Sequence, residues 1–225
     1  PVKPRDSQAR EYEILEQKSW RFSLYEKTRV PNGMLPVDRG GFSVPINGLP
    51  VTMSVMVLDR FFIDETEVTN RAYKEFIDAG GYTDPGYWKH KFTKDGREIP
   101  WAEAMKIFKD RTGRPGPGKY PVSGVSWFEA AAYAEFRGKT LPTIYHWSRA
   151  AFPIAERITP LTPLIIPQSN IEGSGMAEAG SFPGIGSSGA RDMAGNLREW
   201  CWNAVGENRY CLGGMWQDPA YMFTE

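Results

Sequence analysis

Hydrophobic and polar positions change their period several times along this chain, and each change marks an element. In residues 60–68, Phe62, Asp64, Thr66 and Val68 alternate with Phe61, Ile63, Glu65 and Glu67, the two-residue period of a half-buried strand. Directly afterwards Ala72, Tyr73, Phe76 and Ile77 recur at helical spacing. That pattern predicts a helix capped at Thr69-Asn70, running to Ala79 and ended by Gly80-Gly81. Ser126 and Glu129 form an S-x-x-E capping box ahead of an alanine-rich helix that reaches Arg137 and closes at Gly138. Thr143 caps a further helix over residues 144–152, and residues 101–109 read as a short amphipathic helix stopped by the glycine–proline run 113–118. Residues 37–44 and 52–58 read as strands around a Gly-Pro loop, and residues 8–19 as a short helix. Residues 198–204 and 209–216 are expected to pair as a hairpin through Gly206-Glu207-Asn208. The remainder reads as loop: an aromatic stretch at 81–100, four prolines within 153–168, and a glycine- and serine-rich run at 173–189.

Composition narrows this to a mixed α+β domain with small antiparallel sheets, short helices and long loops pinned by aromatic rings. Glycine (23) and proline (18) are both enriched in 225 residues, and 13% of the chain is aromatic. Residues 34–225 read as one domain, and residues 1–33 as a linker or N-terminal extension. The chain opens on Pro1 rather than Met and is read as a fragment. Net charge is zero, without the basic excess of a nucleic-acid binder, so no nucleic-acid partner is expected. No apolar run approaches the roughly 20 residues of a membrane span.

The candidate chemistry is concentrated in residues 190–216. Asp192 and Glu199 flank a Gly-Asn turn, and two carboxylates beside main-chain carbonyls suit the hard ion calcium. The alternative is that they pair with Arg191 and Arg198 at the surface. Cys201 and Cys211 stand equidistant from Gly206 and so are expected to face each other across the hairpin. They read as two small buried hydrophobes or a cross-strand disulfide, or else as a thiolate metal or redox site. Residues 113–118 are not a phosphate loop, because prolines remove donors and no Lys-Ser/Thr follows. No G-x-S-x-G elbow supports a nucleophilic serine.

The run DMAGNLREW at 192–200, followed by LGGMW at 212–216, resembles the signature of the formylglycine-generating enzyme, or sulfatase-modifying factor, family. Three earlier segments match in order: FIDETEVTN at 62–70, PVSGVSW at 121–127 and LPTIYHW at 141–147. The resemblance implies an elaborated C-type-lectin-like fold with little regular secondary structure. It implies calcium bound by the side chains of Asp192 and Glu199 and the backbone oxygens of Gly195 and Leu197. A second family calcium site begins at a pair matched by Asn170-Ile171, but its other ligands fall where this chain is shorter.

Catalytic members use oxygen and copper and place two cysteines after the Gly-Gly segment, where this chain has Asp218 and Phe223. Cu(I) needs soft thiolate ligands, so copper is not expected and no catalytic residue is assigned. A sister group that builds sulfur–carbon bonds takes iron from histidines of an additional helical domain, which His90 and His146 do not replace. The matching substrate wall, 216–223, offers Trp216, Asp218, Tyr221 and Phe223, with His90 brought in from a loop, as a ligand- or peptide-binding groove. The resemblance is greatest to bacterial versions attached to kinase or hydrolase domains in large signalling proteins, in the cytoplasm or, if exported, outside it. Family domains also end in a Gly-Phe-Arg strand that does not follow residue 222, so the domain is expected to be incomplete at its C-terminal end. The two functions consistent with these features are a calcium-stabilised binding module and an oxygen-dependent oxidoreductase using other residues.

Overall fold

The computed structural model describes residues 30–42, 56–108, 117–152 and 165–220. The helix expected at 8–19, the stop at 113–116, most of the proline-rich loop and residues 221–225 lie outside them.

Strand β1 (Met34–Val37) pairs antiparallel with β4 (Phe61–Asp64), and β2 (Gly40–Phe42) with β3 (Met56–Leu58). The strand expected over 60–68 therefore stops at Asp64. Beyond it the main chain bonds to loops instead of a ladder: Glu65 N donates to Gly33 O and Glu65 O accepts from Arg191 N. Val68 O then accepts from Val122 N. Helix α1 (Asn70–Asp78) follows, and Thr69 Oγ1 caps it by accepting from Ala72 N.

Residues 81–100, expected as loop alone, contain a hairpin of β5 (Phe92–Lys94) and β6 (Arg97–Ile99). Its two-residue turn is Asp95-Gly96, with φ of 51° and 73°. This is the backbone a type I′ turn needs, and Asp-Gly is among its preferred pairs. Helix α2 (Trp101–Phe108) comes next. Helix α3 (Trp127–Phe136) carries both halves of the expected capping box, and α4 (Ile144–Ala151) begins at Thr143.

The final hairpin joins β7 (Glu199–Val205) to β8 (Asn208–Leu212). Val205 lies opposite Asn208, so the turn is Gly206-Glu207 alone. A register shift between Trp200 and Ala204 then sets Trp200, not Cys201, opposite Cys211. The two-residue turn moves the hairpin's centre off Gly206, and the irregularity then shifts the register again. Both cysteines are free; Cys201 is fully buried and Cys211 half-buried.

The four two-stranded sheets among the described residues cannot stabilise themselves, and side-chain packing does that work. One core cluster includes Val37, Ile144, Trp147, Met193 and Cys201. The other is aromatic: Phe76, fully buried, meets the rings of Tyr73, Tyr82, Tyr87, Tyr133 and Phe136 at centroid distances of 5.5–6.1 Å. Gly81 lies against that ring so closely that an added Cβ would stand 2.3 Å from it. Helix α1 is thereby held to α3 and to the loop that follows α1.

Truncating Phe76 to Ala should destabilise the protein by about 3–5 kcal/mol, whereas Ile77→Ala, one position along and exposed, should cost about 0.5 kcal/mol or less. Urea unfolding of the two variants measures the difference, and similar losses would contradict this placement of α1.

Candidate functional site

The loop that leads into β7, residues 190–198, is built around unusual backbone. Asp192 and Asn196 both have φ of 59°, a left-handed conformation that Asp and Asn tolerate better than other side chains. Gly195 has φ of 79°, and a Cβ there would come within 2.3 Å of Asn170 O, so glycine is required.

Asn196 is the hub, with 1% of its surface exposed. Its Oδ1 accepts from Asn170 Nδ2 and Ala177 N, each at 2.9 Å. Its Nδ2 donates to Glu67 Oε2 at 2.6 Å and to Ala177 O at 3.3 Å. Glu67 Oε1 also accepts from Leu197 N at 2.9 Å, so both oxygens of this buried carboxylate are used as acceptors. Gly195 N donates to Gly213 O and Trp216 N to Asn196 O, which attaches the Gly-Gly segment to the same loop.

Three carboxylates interact here, Glu67 and Asp192 buried and Glu199 half-buried. Burial and the charges of Glu199 and Asp192 push the Glu67 carboxyl up to about 9, against the pull of its Asn196 and Leu197 bonds. Burial raises Glu199 to about 7, opposed by its bond from Trp147 Nε1 at 2.5 Å. Asp192 is also raised by burial, although Gly180 N donates to its Oδ2 at 2.5 Å. The surface ion pairs weighed from sequence do not form: Arg191 donates to the Gly180 and Phe182 carbonyls, and Arg198 binds Asp218.

The donor set partly fits a hard cation. Among the described residues no three His, Cys, Asp or Glu side chains converge to hold a metal ion, so main-chain oxygens would have to complete any site. Among the described residues, Asp192 Oδ1 and Glu199 Oε1 accept no hydrogen bond, nor do the carbonyls of Gly195 and Leu197. These are the four ligands expected from the resemblance.

The groove residues are divided. Asp218 is held by two guanidinium nitrogens of Arg198, Nη2 at 2.8 and 2.9 Å and Nε at 3.2 Å, and its Oδ2 also accepts from Met215 N. Trp216 is half-buried, and its carbonyl accepts from Gly173 N. Tyr221 and Phe223 lie outside the described residues. His90 is elsewhere, against the rings of Trp127 and Trp202 at 4.8 and 4.9 Å, with Arg209 over Trp127 at 3.8 Å. His146 stacks edge-on against Phe61, and its Nδ1 bonds Thr143.

A cleft of about 540 Å³ lies beside the Trp216–Asp218 segment, walled by the 169–182 loop and Tyr120, with Glu178, Ile171, Met176 and Phe182 among its lining. Glu172 N and Gly173 N, bonded to Asp218 O and Trp216 O, connect this wall to the expected groove. Sequence reasoning missed both the cleft and the Glu67–Asn196 network. Glu67 and Asn196 both fall inside the matched segments, which was the available signal; the cleft wall had none beyond its glycines and serines.

The model of the sulfatase-modifying factor enzyme 1-like domain matches residues 18–157, more than half of the chain. Serine/threonine-protein kinase pkn1 of Chlamydia pneumoniae is 30% identical over 190 residues, covering 81% of this chain and 28% of the kinase. Inactive C-alpha-formylglycine-generating enzyme 2 of Mus musculus is 27% identical over 199 residues, 71% of this chain and 65% of that protein. The chain thus spans about a quarter of the length of the kinases it matches. The solved structure of Treponema denticola variable protein 1 superposes with a TM-score of 0.52 at 17% identity, over 83% of this chain and 84% of that one, a likeness of fold. With small antiparallel sheets, few helices and the family model running across the capped helices, this α+β chain belongs to the sulfatase-modifying factor enzyme 1-like domain family.

Proposed function

We propose that this domain is a calcium-stabilised ligand-binding module of a larger bacterial signalling protein, without formylglycine-generating activity. The observation that carries the reading is the Arg198–Asp218 pair. Asp218 stands at the position of the first catalytic cysteine and is 15% exposed, with both oxygens committed to Arg198 and one also to Met215 N. A hard oxygen donor so engaged does not replace a thiolate for Cu(I). Phe223, at the second position, has no ligand atom.

Asp192 and Glu199, with the carbonyls of Gly195 and Leu197, are the residues that would hold calcium. The ion would supply positive charge to a loop in which buried carboxylates raise one another's proton affinity. The loop in turn supports the cleft wall through Asn196, Asn170 and Ala177. The 540 Å³ cleft lies within the size range of small-molecule sites.

Asp192→Asn tests the ion. It keeps a residue tolerant of positive φ and an acceptor for Gly180 N while removing the charge. At calcium near 100 times Kd, binding to the folded state adds about 2.7 kcal/mol. The variant should lose that increment in calcium and match the parent in chelator; equal thermal shifts in both buffers would leave Asp192 as a structural acceptor.

The pH dependence has a defined sign. Glu199 and Glu67 have folded values above the unfolded 4.5, at about 7 and about 9. Their contribution is complete below 4.5 and is lost as pH rises through 7 and then towards 9. In chelator, denaturant midpoints should fall across that window, and calcium should flatten the fall.

Copper-loaded protein incubated with a cysteine-containing sulfatase peptide should consume no oxygen above background. Uptake at the rate of a catalytic family member would overturn the binding-module reading.

A further inference from the structure

Among the described residues, the cleft walled by residues 169–182 is lined by a single charged side chain, Glu178. Its present partner is Lys119, with Nζ 3.7 Å from Glu178 Oε2 and the two side chains 68% and 46% exposed. A pair so long and so wet is weak, so a ligand can displace it. The chain's own ammonium thus already shows which charge Glu178 accepts. Two rings, Tyr120 and Phe182, line the same space, and aromatic faces beside a carboxylate attract cations.

Among the described residues the remaining lining carries no cationic side chain. Asn170, the one amide in the lining, commits its Nδ2 to Gly175 O and Asn196 Oδ1, and the other polar contributions are serine hydroxyls and main chain. The walls are fixed in advance. Ala179 N donates to Lys119 O, Ser181 N to Glu178 O, and Tyr120 O accepts from Asn70 N. Ile171 and Met176 supply apolar surface beside the charge.

We propose that this cleft binds an organic cation, an alkyl ammonium or guanidinium group whose charge meets Glu178 in place of Lys119 and whose hydrocarbon stem lies against Tyr120 and Phe182. The proposal rests on the reading of the domain as a binding module and names the ligand class.

Gly175 supplies a clean block. A Cβ there meets nothing within 4 Å, and its φ is outside the left-handed region, so leucine is accommodated and narrows the cleft that Gly175 lines. Amide shifts of the full chain are followed by NMR during titration with the N-acetyl methylamides of lysine, arginine, norleucine and glutamate. The lysine and arginine probes should give saturable shifts confined to residue 120 and residues 169–182, with norleucine and glutamate at least about fivefold weaker, the loss of one exposed charge contact. Glu178→Gln should weaken the two cationic probes by a similar factor and leave norleucine unchanged. Lys119→Met should tighten them by removing the internal competitor, and Gly175→Leu should abolish binding. If norleucine binds as well as lysine, or Glu178→Gln changes nothing while Gly175→Leu still blocks, the cation class is wrong and the cleft remains a binding site. If no probe gives shifts that Gly175→Leu removes, the cleft proposal is overturned, whereas the binding-module reading itself falls only to oxygen turnover.

Discussion

The buried bonds from Asn196 and Leu197 to the Glu67 carboxylate hold together parts of the chain 129 and 130 positions apart. Glu67 and Asn196 are buried away from water, so losing one would strand the other and cost about 1–3 kcal/mol per unpaired group. The geometry is that of an ionised carboxylate accepting two donors, in surroundings that oppose charge. That tension is what a nearby cation would relieve.

The same economy of regular structure runs through the domain. Short ladders leave many backbone groups without sheet or helix partners, and these are satisfied by particular side chains. Trp127 Nε1 donates to Cys201 O, Trp200 Nε1 to Val125 O, and Asn70 Nδ2 to the Pro117 and Tyr120 carbonyls. Indoles and asparagines act here as connectors between loops, each burying apolar surface or closing a polar group. This accounts for a composition rich in aromatics and glycine: the rings fill the volume that extended sheets would occupy, and glycines let backbones approach.

The functional consequence is a rigid irregular surface. The segment that carries thiol chemistry in catalytic relatives is here bound to its neighbours through Asp218, Trp216 and Glu172, with Ala220 N donating to Glu172 Oε1. Arg198 and Asp218 make that segment a strut. The adjoining cleft, whose floor is Asn170, shares its support with the carboxylate loop, so ion binding and ligand binding would stabilise the same arrangement.

Local sequence determined the helices, because their signals are local. Thr69, the Ser126–Glu129 box and Thr143 start α1, α3 and α4 where the bonds to Ala72, Glu129 and His146 now stand. It determined the family as well, through ordered motifs. The Asp95-Gly96 hairpin was equally legible in principle, since that dipeptide selects its turn, but a run of aromatics on either side obscured the alternation. Only tertiary structure decided where β4 ends, because the bonds that replace the ladder after Asp64 come from Gly33 and Arg191. It alone decided that Cys211 faces Trp200, since a bulge shifts register without leaving a mark in hydropathy. It placed His90 beside Trp127 and gave Asp218 to Arg198 rather than to solvent. A carboxylate's role depends on which partner reaches it, and that is a property of the packed chain, not of residue type and spacing.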